Sequence, residues 1–197
     1  MHEIKADSPR SYTYEKDTFC KDFALCNLRL IPAGAQKIHL STLRNTFLFK
    51  GGPAQFIRGI AFITIKLGGF SPLFEMHAHA EDPHLMSEFN EDGWAQFYKR
   101  VSKILENQPN VRGIFSSSWY FDPVLRTISP KLVYLRRTVT DNGGRLFYVG
   151  SDDQSIENAT MKSLTRRTLY QRGKYMPTKY LVVWPRQSLI DWAGGHS

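Results

Sequence analysis

The chain has little cysteine: Cys20 and Cys26, in TFCKDFALCNL, are all it contains. Their spacing makes neither a CxxC redox pair nor a disulfide framework, so reduced thiols and a cytoplasmic protein are expected. No apolar run comes near the ~18 residues that a membrane-crossing helix needs, so no membrane span is expected. The opening MHEIKADSPRSYTYEKD has no apolar core of the kind a secretory signal carries. Several catalytic loops are missing as well. GxxxxGK[ST] and GxGxxG do not occur, which leaves the standard nucleotide-cradling turns without a candidate. GxSxG and the PCxxC of zinc deaminases are also absent.

Acidic residues run out toward the C-terminus. Between Asn158 and Ile190 there is no Asp or Glu, whereas Lys162, Arg166, Arg167, Arg172, Lys174, Lys179 and Arg186 all occur. The formal net charge of +8 is therefore partly local. Such a stretch attracts phosphates, nucleic acid or an acidic partner protein; a solvated basic face is the plainer alternative.

What is present is the composition of a folded globular chain, 197 residues with 42% hydrophobic and 13% aromatic content. That is enough to bury one real core. Residues 1–18 read as a polar N-terminal arm and 19–197 as a single α/β domain. FCKDFALCNLRLI, 19–31, reads as a short helix or strand, and 32–55 shows no clean period. FIRGIAFITIKL, 56–67, is dense in Ile and Phe and reads as a buried strand, reversing at Gly68-Gly69 into a second strand over 73–79. In DGWAQFYKRVSKILEN the residues Trp94, Phe97, Tyr98, Val101, Ile104 and Leu105 recur at helical spacing, with Asp92 as a cap. VRGIFSS (111–117), RLFYVG (145–150) and TKYLVVWP (178–185) read as strands. Between them fall a helix opened by Ser129-Pro130 and another from Asp153 to Gln171, and QSLIDWA closes the chain as a helical turn. This alternation predicts a mixed central sheet flanked by helices.

FEMHAHAEDPH, 74–84, concentrates the chemistry. Extended backbone puts Leu73, Glu75, His77 and His79 on one face and Phe74, Met76 and Ala78 on the other. Polar neighbours on that face are about 6.5–7 Å apart, which suits convergence on one proton or one ion. Three readings follow. Glu75 or His77 serves as an acid–base group; His77, His79, His84 and Asp82 hold a metal; or the stretch is an ordinary polar strand face. Ser116, Ser117 and Ser118 stand at a strand end, where α/β sheets bind substrates. FSSSWYFD lacks the glycine-flanked turn of a serine nucleophile, so Ser116–Ser118 and Trp119 are read as substrate-binding, with His79 and Arg126. Tyr170, near a helix end, is a neutral phenol able to protonate a departing thiolate, or a packed core residue.

From VRGIFSSSWYFD through SPKLVYLRR, RLFYVG, NATMKSLTRRTLYQRGKY and TKYLVVWP, the second half resembles GCN5-related N-acyltransferases, with the variants that make N-acyl amino acids or acyl-homoserine lactones as the nearest kind. Asn158 and LYQRG, 169–173, are similar to that family's late motif. The pyrophosphate loop, Q/R-x-x-G-x-G/A, has no counterpart between Ser116 and Arg136. The resemblance implies acyl transfer from a thioester, coenzyme A or acyl carrier protein, to a small amine. Under it Glu75 or His77 is the base and Tyr170 the acid. Amides at Ser116–Ser118 stabilise the oxyanion, and Lys162, Arg166, Arg167 and Lys174 meet the donor's phosphates or an acidic carrier protein. No tightly bound cofactor is implied. Two other functions fit the residues: a metal-dependent enzyme built on His77 and His79, and a basic nucleic-acid- or protein-binding module in which Tyr170, Tyr175, Tyr180 and Trp184 stack on bases.

Overall fold

The computed structural model describes residues 30–34, 36–78 and 87–196. The chain divides into a short unit, Met1–Ile31, and a larger compact one, Pro32–Ser197. The larger carries the strands β2 (Gln36–Ser41), β3 (Leu73–Ala78), β4 (Gly113–Ser118), β5 (Arg145–Gly150) and β6 (Lys179–Pro185). A two-residue strand, β1 (Ile31–Pro32), precedes them in the chain, and the sheet order is β1-β2-β3-β4-β6-β5. β2 is antiparallel to β3, β3 is parallel to β4, and β6 is antiparallel to both β4 and β5. The fold is α/β with a mixed central sheet flanked by helices.

The parallel step from β3 to β4 requires a crossover, supplied by helix α2 (Glu91–Glu106). The predicted apolar set of this helix is buried at Trp94, Phe97, Tyr98, Val101 and Leu105. Its cap is Asn90 rather than Asp92: the Asn90 side chain accepts from the Gly93 amide at 2.9 Å. Asp92 instead sits in the first turn, where an acidic residue complements the helix dipole. With α3 (Val133–Thr140) and α6 (Arg186–Gly195), α2 covers the face bearing Ile38, Phe74, Met76, Ile114, Val182 and Trp184. Ser129 precedes a 3-10 turn, Pro130–Leu132, before α3 begins, and makes no side-chain cap. The single helix expected from Asp153 to Gln171 is two, α4 (Asp153–Met161) and α5 (Leu164–Gln171), with Ser163 capping the second.

The opposite face shows the main departure from the sequence reading. Residues 56–67 are not a strand but helix α1 (Gly52–Phe62) running into a π-helical turn, Ile63–Leu67. Pro53 in the first turn suits a helix start. Gly68, at φ +70°, ends the helix in the left-handed conformation that glycine adopts without steric cost. Gly59, Phe62, Ile63 and Leu67 are buried, a helical spacing; they pack with Phe47 and Leu48 on Leu73, Phe115, Phe147, Leu181 and Val183. The antiparallel partner of β3 is accordingly β2, from the stretch without a readable period.

Candidate active site

β3 and β4 stay paired only at Phe74↔Ile114 and Glu75↔Phe115, although both strands continue three residues further. Beyond that point they part. Ser116 Oγ spans the opening, donating to the Met76 carbonyl at 3.0 Å. At this parting lies a cavity of about 700 Å³, whose walls include Met76, His77 and Ser116–Ser118. Trp119 and Tyr120 follow from the 3-10 turn after β4, and Phe89, Pro130 and Leu132 add apolar wall. The far side is cationic: Lys131, Lys162 and Arg166 line it, and among the described residues no Asp or Glu does.

Arg166 is held in place without a carboxylate. Its Nε donates to the Ala159 carbonyl (2.6 Å) and its Nη1 to Ser129 Oγ (3.0 Å), while the guanidinium lies 4.7 Å over the Trp119 ring. Among the described residues no carboxylate pairs with it. Partial burial lowers its pKa, the mark of a cation kept from water without a full counter-charge. Tyr120 is buried, and burial pushes its phenol up to about 12 against the opposing hydrogen bonds of Ser116 and Ser118. At neutral pH it is therefore protonated and can donate a hydrogen bond.

On the wall formed by β3, the register places His39 opposite Glu75 and Lys37 opposite His77, so the four share one face. His77 Nε2 lies 2.9 Å from His39 Nδ1, and His39 Nε2 lies 3.6 Å from Glu75 Oε2. A carboxylate, an imidazole and a second imidazole thus follow one another, and of the three only His77 lines the cavity. All three are half-buried, and one ligand atom from each can be found within 4.8 Å of the others.

No protein-family model and no curated protein matches the chain. Two solved acyltransferases are similar. One is a mutant enzyme in complex with octanoyl-CoA, at a TM-score of 0.47 and 14% identity over 80% of this chain. The other is an acyltransferase in complex with decanoyl-CoA and teicoplanin, at a TM-score of 0.49 and 14% identity over 87% of this chain. The chain spans about half the length of each, 47% and 53%.

The site predicted from sequence divides on inspection. His77, Ser116, Ser117, Ser118, Trp119, Lys162 and Arg166 come together at the cavity, and Glu75 stands behind His77 through His39. Tyr170, half-exposed on α5, does not line it, nor do the exposed Arg126, Arg167 and Lys174. Arg167 instead donates to the Met161 carbonyl at 2.7 Å. His79, Asp82 and His84 lie outside the described residues, as does the polar arm 1–18. The base-stacking surface does not form as drawn, because Trp184 and Tyr175 are buried. The sequence reads Tyr120 only as a lining or core residue, and gives His39 and Lys131 no role at the site. His39 had a signal, since QKIHLS alternates Lys37, His39 and Ser41 with Ile38 and Leu40.

Proposed function

We propose that the chain transfers an acyl group from a thioester donor, acyl-CoA or acyl carrier protein, to a small amine-type acceptor. The observation that carries this is the parting of β3 and β4 into a largely apolar cavity with an imidazole on one wall and, on the other, cations that no carboxylate among the described residues pairs. The acyl chain occupies the apolar part, against Met76, Phe89, Trp119 and Leu132. Lys162 and Arg166 meet the donor's anionic portion. His77 takes a proton from the amine, whose nitrogen then bonds to the thioester carbonyl carbon. The tetrahedral oxyanion collapses, the C–S bond breaks, and the thiolate takes a proton. The imidazolium of His77 returns the proton it took, and Tyr120, a phenol of the cavity wall that burial keeps protonated, donates a hydrogen bond to the leaving sulfur in the position that sequence gave to Tyr170. His39 and Glu75 hold the His77 ring and offset the positive charge it acquires, as the orienting groups of a base do.

The test is acceptor-dependent thiol release from a series of acyl-CoA donors and an acyl carrier protein, with the acylated amine identified by mass. His77→Ala lowers kcat/KM by about 100-fold or more, the usual worth of a general base. Arg166→Gln raises KM for phosphate-bearing donors and leaves short thioesters without phosphate unchanged. Donor consumption that never depends on an amine overturns the proposal.

A second reading rests on the same trio. Two imidazoles and a carboxylate within reach of one another form a ligand set for a divalent transition metal. The readings exclude one another, because a metal on His39 and His77 removes the base. Metal analysis of tag-free protein separates them: stoichiometric metal, lost in His39→Ala, replaces the base with a metal centre.

A further inference from the structure

Helix α1 is apolar on both sides, and only one side is used. Gly59, Phe62, Ile63 and Leu67 pack on the sheet, while Ile57, Ile60, Ala61 and Ile65 recur at helical spacing on the outer side. Ile57 is 67% exposed and Ile65 76%. Phe49, 68% exposed, extends the patch through a ring contact with Phe56 at 5.2 Å. Apolar residues that only fill surface occur singly; a row of large ones along a helix marks an interaction site.

The charges around the row name the occupant. Arg44, Lys50, Arg58 and Lys66 are all exposed, and no Asp or Glu occurs from Ile31 to Phe74. A second copy docking here would bring two such cationic sets together with no acid from this segment between them. A row of Phe and Ile bordered by Arg and Lys is instead the pattern of a helix that lies in a membrane interface, its apolar side among the acyl chains and its cations at anionic headgroups. We infer that the outer face of α1 docks on an anionic lipid bilayer. The binding is peripheral, in keeping with the lack of any helix among the described residues long and apolar enough to cross a membrane. It does not depend on the transfer reaction proposed above.

The test is sedimentation of the full chain with phosphatidylcholine vesicles, with and without about 30% phosphatidylserine, an anionic content typical of such assays. The chain partitions to the anionic vesicles, weakly to the neutral ones, and is released by high salt. Arg58→Gln with Lys66→Gln lowers partitioning on the order of thirtyfold, each basic residue at an anionic surface being worth about a factor of five. Ile57→Glu with Ile65→Glu reduces it to background while circular dichroism stays unchanged. If the glutamate pair does not fold, the glutamine pair alone decides. Absence of vesicle binding, or equal binding with and without phosphatidylserine, overturns the inference. So does a dimer in light scattering that the Ile57 and Ile65 substitutions dissociate, which would place a second copy on this face.

Discussion

The two faces of the sheet are covered by helices of opposite character. On one side α2 is amphipathic, with its aromatic stripe sealed beneath it: Trp94 is 1% exposed and Phe97 is fully buried. On the other side α1 buries one apolar stripe and leaves another in solvent. The first layer is saturated by contacts within the chain. The second uses only one side of its apolar surface for folding. A helix apolar all round is ordinarily enclosed, and this one is enclosed on one side only.

Truncation inside the saturated layer should have the largest effect. Trp94 packs edge-on against Phe89, Phe97 and Tyr120, and tilted against Tyr98. Trp94→Ala should cost about 3–5 kcal/mol in urea denaturation, through lost burial and the cavity left behind. A cost near 1 kcal/mol would mean that this layer is as loosely filled as the other, and the contrast would fail. Next comes Gly113, where α2 delivers the chain into β4. It has φ +148°, and a Cβ there would meet the Trp184 carbonyl oxygen at 2.2 Å. The Cβ is fixed by its own backbone and the carbonyl belongs to the sheet, so neither can turn aside. Gly113→Ala should cost about 3 kcal/mol and disturb the cavity built on the same strand, seen as lost donor binding alongside the lower midpoint.

The same contrast explains how much could be read from the sequence. α2 was legible because its apolar residues are confined to one side, which is what creates a period. α1 was not: with Ile and Phe on both sides the period is erased, and the β-branched content then suggests a strand. One of its buried positions is Gly59, which an apolar pattern does not register at all. In the site, the alternation of Leu73, Glu75 and His77 against Phe74 and Met76 was read correctly, since a strand fixes it locally. His39 could not be joined to His77 from sequence, because that depends on the register of two strands 38 residues apart. That Tyr120 lines the cavity and Tyr170 does not likewise depends on the parting of β3 from β4, a long-range property with no local signature.

Gly59→Ala probes the used side of α1. A Cβ there would meet Leu48 Cδ2 at 2.3 Å, and Leu48 is buried beneath the helix. Alanine gains about 1 kcal/mol of helix propensity and loses about 1–3 kcal/mol to overpacking. The expected net is a loss of about 1 kcal/mol, measured by the denaturation midpoint. A gain would show that Leu48 has room to shift, and that even the inner side of this layer is less tightly filled than the α2 side.

The smallest effect belongs to the outer stripe. Ile57→Ser removes a large apolar side chain that is already two-thirds in water, so little burial is lost on folding. Serine is a slightly poorer helix former, and the net change in stability should stay within about 0.5 kcal/mol. The same substitution in α2, Val101→Ser, falls on a fully buried position and should cost several-fold more. Comparing the two under identical conditions cancels any shared error in extrapolating to zero denaturant. If Ile57→Ser proved as costly as Val101→Ser, the outer stripe would already be covered within the folded chain, leaving no free face for a membrane. If it proved neutral to stability yet lowered vesicle partitioning, those apolar residues would be tied to binding rather than folding, which is the difference between the two layers stated as a measurement.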